Sequence, residues 1–320
     1  MYNIFYKYKP SIILVLKLII VIAALYFIYY KLVFNQLFSV TQLKQQLYFL
    51  FTYKLWIIIL LFLFTDANWF LEIFKWKKLV SVEKKITFFE AYEQCLGSLT
   101  ASLITPNRIG EYGAKALYFN KKLRKKIMVL NLIGNLSQLA ITFLFGFSGL
   151  LFLVFNYSFE FPKLNLIRLA VFLSVSFILF FWLKKTNLFT SIKTYFEKLI
   201  FYLNKIPKSI IFSTLFYALG RYLVFSHQFY FLLRLLGFQI PYLDTMSLIF
   251  AMYFIASIIP SLSLFDWAIK GSVAIWLFSL VNLSVLTIVT VTTFMWMLNF
   301  AIPAVLGSIF VLNFKIPEET

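Results

Sequence analysis

Long apolar stretches separated by short lysine-rich segments run through the whole chain. About six of them reach the roughly 20 apolar residues that a helix needs to cross a bilayer. They span roughly residues 11–30, 54–74, 127–155, 166–183, 209–236 and 285–313. Several apolar stretches of this length predict an all-α, polytopic integral membrane protein, with a single membrane domain over residues 1–320.

Two further apolar segments, at about 86–118 and 244–282, are interrupted by proline, glycine and charged residues. Lysines cluster in 75–85, 121–126 and 184–208, and such clusters are typical of cytoplasmic loops. With all three clusters on the cytoplasmic side, segment 86–118 starts and ends on that side. We therefore interpret it as a re-entrant hairpin, and we predict the same for 244–282.

The order span, span, hairpin, span occurs twice and predicts pseudo-repeats over 1–160 and 161–320. Each half contains an odd number of crossings, so the second half is inverted relative to the first. Inverted halves with broken helices at matching positions are typical of alternating-access transporters. This topology predicts a multi-pass protein of the cell (cytoplasmic, or inner) membrane with both termini in the cytoplasm.

Composition excludes several classes of protein. The chain is 62% hydrophobic and only 13% charged, which does not fit a water-soluble domain. Its formal net charge of +18 lies mainly in the predicted loops, so we predict a membrane surface and no nucleic-acid partner. With Cys95 as the single cysteine and His227 as the single histidine, a conventional zinc site is excluded. We predict no cofactor and no metal.

Both broken segments carry a proline, then an acid five or six residues later, then a lysine four residues after the acid. The matching residues are Pro106, Glu111 and Lys115 in the first segment and Pro260, Asp266 and Lys270 in the second. A spacing of four residues places acid and lysine on one helix face. The helix that restarts after each break offers free N–H groups and a positive dipole end, which suit a phosphate.

Eleven residues are candidates for substrate binding. They are Pro106, Asn107, Arg108, Gly110, Glu111, Lys115, Pro260, Asp266, Lys270, Gly271 and Arg221. Ionisable residues at membrane depth are functional candidates by default, but each acid–lysine pair could instead only brace its hairpin. Arg221 could face a cavity or extend to an interface, and Asp66 could line the cavity, cap a helix or lie at an interface.

The run TPNRIGE at 105–111, with Ile259-Pro260 and the run 266–271, resembles the flippase-like membrane-domain family. That family includes the membrane half of lysylphosphatidylglycerol synthase. The resemblance implies binding or transport of modified phospholipids or lipid-linked intermediates. Many members have Pro-Gly-Gly and a Glu in the second motif, where this chain has Pro260-Ser-Leu and Asp266. The soluble aminoacyltransferase domain common in the family is absent here, so no aminoacyl transfer is expected.

The leading functional hypothesis is a lipid flippase that recognises anionic or phosphate-bearing head groups of membrane lipids. One alternative is a membrane-embedded enzyme that acts on a lipid-linked substrate with Glu111 or Asp266 as its base. Another is a non-transporting partner of a lipid-modifying enzyme.

Overall fold

The computed structural model describes residues 55–157 except 104, 106 and 107, then 200–259 and 266–315, together with a few isolated positions. All regular secondary structure within these ranges is helical. The chain is an all-α, polytopic membrane protein, as the apolar pattern predicts. Apart from isolated positions, the predicted spans 11–30 and 166–183 lie outside the described residues, as does the predicted boundary between the repeats near residue 160.

Four helices form the first described region: α1 (Leu55–Val80), α2 (Phe88–Ser102), α3 (Ile109–Leu117) and α4 (Lys121–Asn156). The second contains α5 (Lys208–Leu235), α6 (Tyr242–Ile258), α7 (Asp266–Phe278), α8 (Val285–Trp296) and α9 (Ile302–Asn313). A 3₁₀ turn, Ser279–Val281, follows α7, and a π-helix, Met297–Ala301, joins α8 to α9. Within the described ranges, four helical segments are long and apolar enough to cross a membrane: Trp56–Val80, Lys121–Asn156, Lys208–Leu235 and Val285–Asn313.

The predicted cationic loop 121–126 is the start of a helix, and the first half of the predicted loop 75–85 is the end of another. Helix α1 continues through Lys75 to Val80, and α4 already begins at Lys121. Lysine is a good helix former, so a cluster of lysines does not by itself end a helix. Lys75 is also only 2% exposed, whereas the sequence places it in a solvated loop.

Both interrupted segments consist of two short helices. Helices α2 and α3 pack against each other across the break at 103–108, and α6 and α7 do so across the break at 259–265. Thr87 caps α2: its side chain accepts from the backbone N–H of Glu90, and the Glu90 carboxylate accepts from the backbone N–H of Thr87. This reciprocal capping box satisfies two backbone donors at the start of the helix.

Helix packing follows the same scheme in both regions. Helix α1 packs against α5, while α2 packs against α9 and α6 packs against α4. Likewise α3 packs on α4, and α7 packs on α8. If α1, α2 and α3 are matched with α5, α6 and α7, and α4 with α8 and α9 together, each contact in one region has a counterpart in the other. Two structurally related halves would produce this scheme, and the inverted repeat itself stays a prediction.

Candidate functional site

A cavity of about 560 Å³ lies among α1, α4, α5, α6, α7, α8 and the start of α3. Its polar lining residues are Asn68, Arg108, Gln138, Thr142, Arg221, Ser257, Lys270, Thr292 and Asn299. Its aromatic lining residues are Trp69, Phe225, Phe229, Tyr253, Trp267, Trp296 and Phe300. Apolar walls with a few converging polar groups, at this volume, are typical of a small-ligand site.

Arg108 reaches the cavity from the first break through an unusual backbone conformation. It is the N-cap residue of α3 and has a left-handed φ of 56°. Its guanidinium carbon lies 4.7 Å from the centre of the Phe300 ring, in a cation–π contact. Left-handed backbone at a residue other than glycine costs about 1 kcal/mol or more, and such strain clusters at functional sites.

Arg221 is held in the lining by two side chains of α1. Its Nε donates to Asn68 Oδ1 at 2.9 Å and its Nη1 to Glu72 Oε2 at 2.6 Å. The same Glu72 oxygen lies 2.7 Å from Lys75 Nζ. One buried carboxylate thus faces two cations, so the three groups together carry a net charge of +1. Because Arg221 lines the cavity, this excess charge favours an anion there.

A chain of amide hydrogen bonds continues from Asn68 across three helical segments. Asn68 Nδ2 donates to Asn299 Oδ1 at 2.8 Å, and Asn299 Nδ2 donates to Gln228 Oε1 at 2.8 Å. Gln228 Nε2 then donates to Thr65 Oγ1 at 3.0 Å. A connected polar network of this kind fixes the relative positions of α1, α5 and the π-helix.

Asn299 lies in the π-helix, and this local geometry has a cause in the sequence. Pro303 follows four residues later and cannot donate the backbone hydrogen bond that the Asn299 carbonyl would accept in an α-helix. Single-turn π-helices occur frequently at functional sites. An asparagine four residues before a proline in an apolar run is the signal from which this residue could have been found.

One face of α1 carries the polar residues of the network. Thr65, Asn68, Glu72 and Lys75 follow at spacings of three and four residues, and all four are buried. That spacing places them on a single helix face, so this stripe was also readable from the sequence. Asp66 lies off this face and is exposed, and it is not part of the cavity lining.

The Glu111–Lys115 pair lies in a separate buried cluster. Lys115 Nζ is 2.7 Å from Glu111 Oε1 and 2.9 Å from Asn131 Oδ1, and it lies 4.4 Å from the centre of a Trp76 ring. Lys115 is only 2% exposed. Neither Glu111 nor Lys115 lines the cavity, so this geometry favours the bracing role that the sequence left open.

Arg108, Arg221 and Lys270 are the predicted site residues that the structure brings together. Gly110 shapes the first break instead: a Cβ there would lie 2.8 Å from Thr105 Cγ2. Gly271 lies on α7, where a Cβ would have room 3.8 Å from Thr292 Oγ1. Asp266 is the first residue of α7. The described residues do not include Pro106, Asn107 and Pro260.

No protein-family model, no curated protein and no solved structure matches this chain.

Proposed function

We propose that this protein is a lipid flippase that binds an anionic, phosphate-bearing lipid head group in the central cavity. One observation carries the proposal: Arg108, Arg221 and Lys270 all line one aromatic-walled cavity inside a membrane domain. Arginine presents a planar fork of donors that matches phosphate oxygens. Charged hydrogen bonds to phosphate are also stronger than neutral ones.

The origin of the three cations supports a transporter in particular. Arg108 comes from the break before α3, while Lys270 comes from α7, just after the second break. Substrate sites formed by broken helices from two halves are typical of secondary transporters. The resemblance of the two motifs to flippase-like membrane domains points to the same class of substrate. Movement of a lipid between leaflets is the function that unites these features.

For the orientation, we propose that the lysine-rich helix ends and both termini face the cytoplasm in the cell (inner) membrane. Three of these ends are tied together by contacts of Glu83, which follows α1. Its carboxylate lies 2.8 Å from Lys126 Nζ on α4 and accepts at 2.9 Å from the hydroxyl of Tyr202, just before α5. The three basic ends therefore lie on one side of the molecule, as the excess of lysine in cytoplasmic loops requires.

The test replaces cavity cations and follows lipid transfer. Proteoliposomes that contain the full chain are loaded with fluorescent phosphatidylglycerol, and its movement between leaflets is timed. Arg221→Gln and Lys270→Gln should each slow transfer about tenfold or more, because a hydrogen bond to a charged group contributes about 1.5–3 kcal/mol. Arg221→Lys keeps the charge but loses the fork, so it should stay well below the parent rate.

Arg234→Gln is the matched control, because Arg234 is on the same helix, is exposed and does not line the cavity. It should transfer lipid at the parent rate. Thermal unfolding in detergent verifies that each variant is folded. Parent-like transfer by folded Arg221→Gln and Lys270→Gln proteins would contradict a phosphate site in this cavity.

A further inference from the structure

The cavity lining includes buried polar atoms that have no hydrogen-bond partner among the described residues. Among them are the indole Nε1 of Trp69 and the amide Oε1 of Gln138. The other amide atom of Gln138, Nε2, donates to the carbonyl of Ala218 at 3.4 Å. An unsatisfied buried polar group is costly, so both atoms call for a partner from the ligand or from water.

These two atoms have opposite requirements. An indole nitrogen can only donate, and an amide oxygen can only accept. A phosphate would satisfy the indole alone, and an ammonium group would satisfy the amide oxygen alone. A hydroxyl group both donates and accepts, so a ligand that carries hydroxyls can satisfy the two atoms together.

Two threonines of the lining can also accept hydrogen bonds from the ligand. Thr142 Oγ1 donates to the Gln138 carbonyl at 3.0 Å, and Thr292 Oγ1 donates to the Ile288 carbonyl at 2.9 Å. Because each hydroxyl proton is used within its own helix, each oxygen has lone pairs left for a donor from the ligand. Hydroxyl groups on the ligand provide such donors.

Aromatic rings complete the lining. The rings of Trp69, Tyr253 and Trp296 border the cavity, and aromatic faces carry partial negative charge. The C–H bonds on the faces of sugar and cyclic polyol rings carry partial positive charge, and these rings pack flat against aromatic faces. At about 560 Å³ the cavity has room for such a ring and a phosphate.

We infer that the lipid recognised by this cavity carries a phosphate ester of a sugar or polyol, whose hydroxyls contact Trp69 and Gln138 while its phosphate contacts the cations. This inference rests on the proposed function and adds the chemical class of the head group.

The experiment compares lipids that differ only in head-group chemistry. Binding to the purified full chain in detergent is measured for phosphatidylinositol and for phosphatidylpropanol, which carries a phosphate but no head-group hydroxyl. Phosphatidylinositol should bind about tenfold more tightly, since its hydroxyls can satisfy two buried polar atoms that phosphatidylpropanol leaves without partners. Soluble myo-inositol 1-phosphate at equal concentration should not displace it, because the lipid tails add to binding.

Two variants assign this preference to the two atoms. Trp69→Phe removes the indole N–H and Gln138→Met removes the amide, so each should reduce the affinity ratio between the two lipids severalfold. Trp56→Phe is the matched control, because Trp56 lies on the same helix but is 61% exposed and outside the lining. It should keep the parent ratio, and thermal unfolding verifies that all three variants are folded.

The outcomes separate the inference from the proposed function. Equal, tight binding of both lipids would overturn the inference and leave a transporter of anionic lipids. Tighter binding of an amine-bearing lipid such as phosphatidylethanolamine would overturn the inference as well. If none of these lipids bound, the proposed function itself would be overturned. If myo-inositol 1-phosphate displaced phosphatidylinositol at equal concentration, the cavity would bind a soluble phosphate ester and the ligand would not be a lipid.

Discussion

The two broken segments, α2–α3 and α6–α7, share one plan but place their lysines in different locations. Each consists of two short helices, and each has a lysine four residues after an acid. Lys115 of the first segment is 2% exposed and bound by Glu111 and Asn131. Lys270 of the second lines the cavity, with its Nζ 6.0 Å from the centre of the Tyr253 ring. Equal spacing in the sequence therefore places one lysine in a buried cluster outside the cavity and the other on the cavity lining.

The surroundings of the two lysines explain this difference. Helix α3 packs on α4, which supplies Asn131 as a second partner for Lys115, and Trp76 of α1 covers the ammonium group. In the first segment the cation that reaches the cavity is Arg108, at the start of α3. The two segments thus place one cation each in the cavity, from different positions of the shared motif.

The strongest test of this comparison removes the acid of the buried pair. Glu111→Gln should destabilise the protein by about 3–5 kcal/mol, because it leaves the buried Lys115 charge without its counter-ion. The double variant Glu111→Gln with Lys115→Gln should recover most of that loss, since no charge is then left unpaired. Thermal unfolding in detergent reports stability, and lipid transfer in proteoliposomes reports function. With Lys115 outside the cavity, the double variant should transfer lipid nearly as fast as the parent.

Glu83→Gln is the control for this prediction. Glu83 also pairs with a lysine, but Lys126 is 48% exposed and stays hydrated without the pair. The amide oxygen of the variant can still accept from the Tyr202 hydroxyl, so the loss should stay well below that of Glu111→Gln. A stable double variant that no longer transfers lipid would return Glu111 and Lys115 to the binding site. It would also show that the two segments function alike.

The sequence contained the class of the protein but only part of the cavity. Lengths of apolar runs predict helices, and proline with charge predicts the breaks, because both effects are local. The amide network was missed since Asn68, Gln228 and Asn299 lie far apart in the chain and meet only after folding. The spacing of acid and lysine is also local and was recognised. The burial of Lys115 depends on Asn131 of another helix, and spacing within one helix does not predict such a contact.

Close helix contacts offer a second test of whether the two regions are equivalent. Gly307 lets α9 approach the carbonyl of Leu96 on α2, and Gly149 lets α4 approach α6, where a Cβ would lie 2.7 Å from the Ser247 carbonyl oxygen. Gly307→Ala and Gly149→Ala should each destabilise the protein by about 1–3 kcal/mol, because the added methyl meets backbone that cannot rotate away. Thermal unfolding of the two variants in detergent measures this.

Gly113→Ala is the matched control, since it also lies in a helix but has nothing within 4 Å of the added Cβ. It should be neutral or stabilising by up to about 1 kcal/mol, because alanine is the better helix former. If only one of Gly307→Ala and Gly149→Ala lowered stability, the α2–α9 and α4–α6 contacts would not be equivalent.

The smallest expected effects concern how α2 and α6 begin. Helix α2 starts with the local capping box of Thr87 and Glu90. Helix α6 follows Pro241 without a side-chain cap. Asp244 in its first turn accepts instead from the Tyr157 hydroxyl at 2.5 Å, from beyond the end of α4. Thr87→Ala and Tyr157→Phe should each lower stability by about 1 kcal/mol, because each removes one capping or tertiary hydrogen bond.

The pH dependence of stability should distinguish the local cap of α2 from the tertiary hydrogen bond of α6. The backbone N–H of Thr87 donates to Glu90 and lowers the pKa of that carboxyl. Its stabilisation is therefore complete above the unfolded pKa of about 4.3 and is lost as pH falls through the lower folded pKa.

Burial, aided by the bond to Asp244, raises the pKa of Tyr157 to about 12. This stabilisation is complete below the unfolded pKa of about 10 and is lost as pH rises through the folded value. Alanine at position 87 keeps the backbone N–H that binds Glu90, so the titrating bond is tested with Glu90→Gln. Thermal midpoints of parent and variant should thus converge in acid for Glu90→Gln and in alkali for Tyr157→Phe. Convergence of both pairs at the same end of the pH range would show that the two helices do not begin in these different ways.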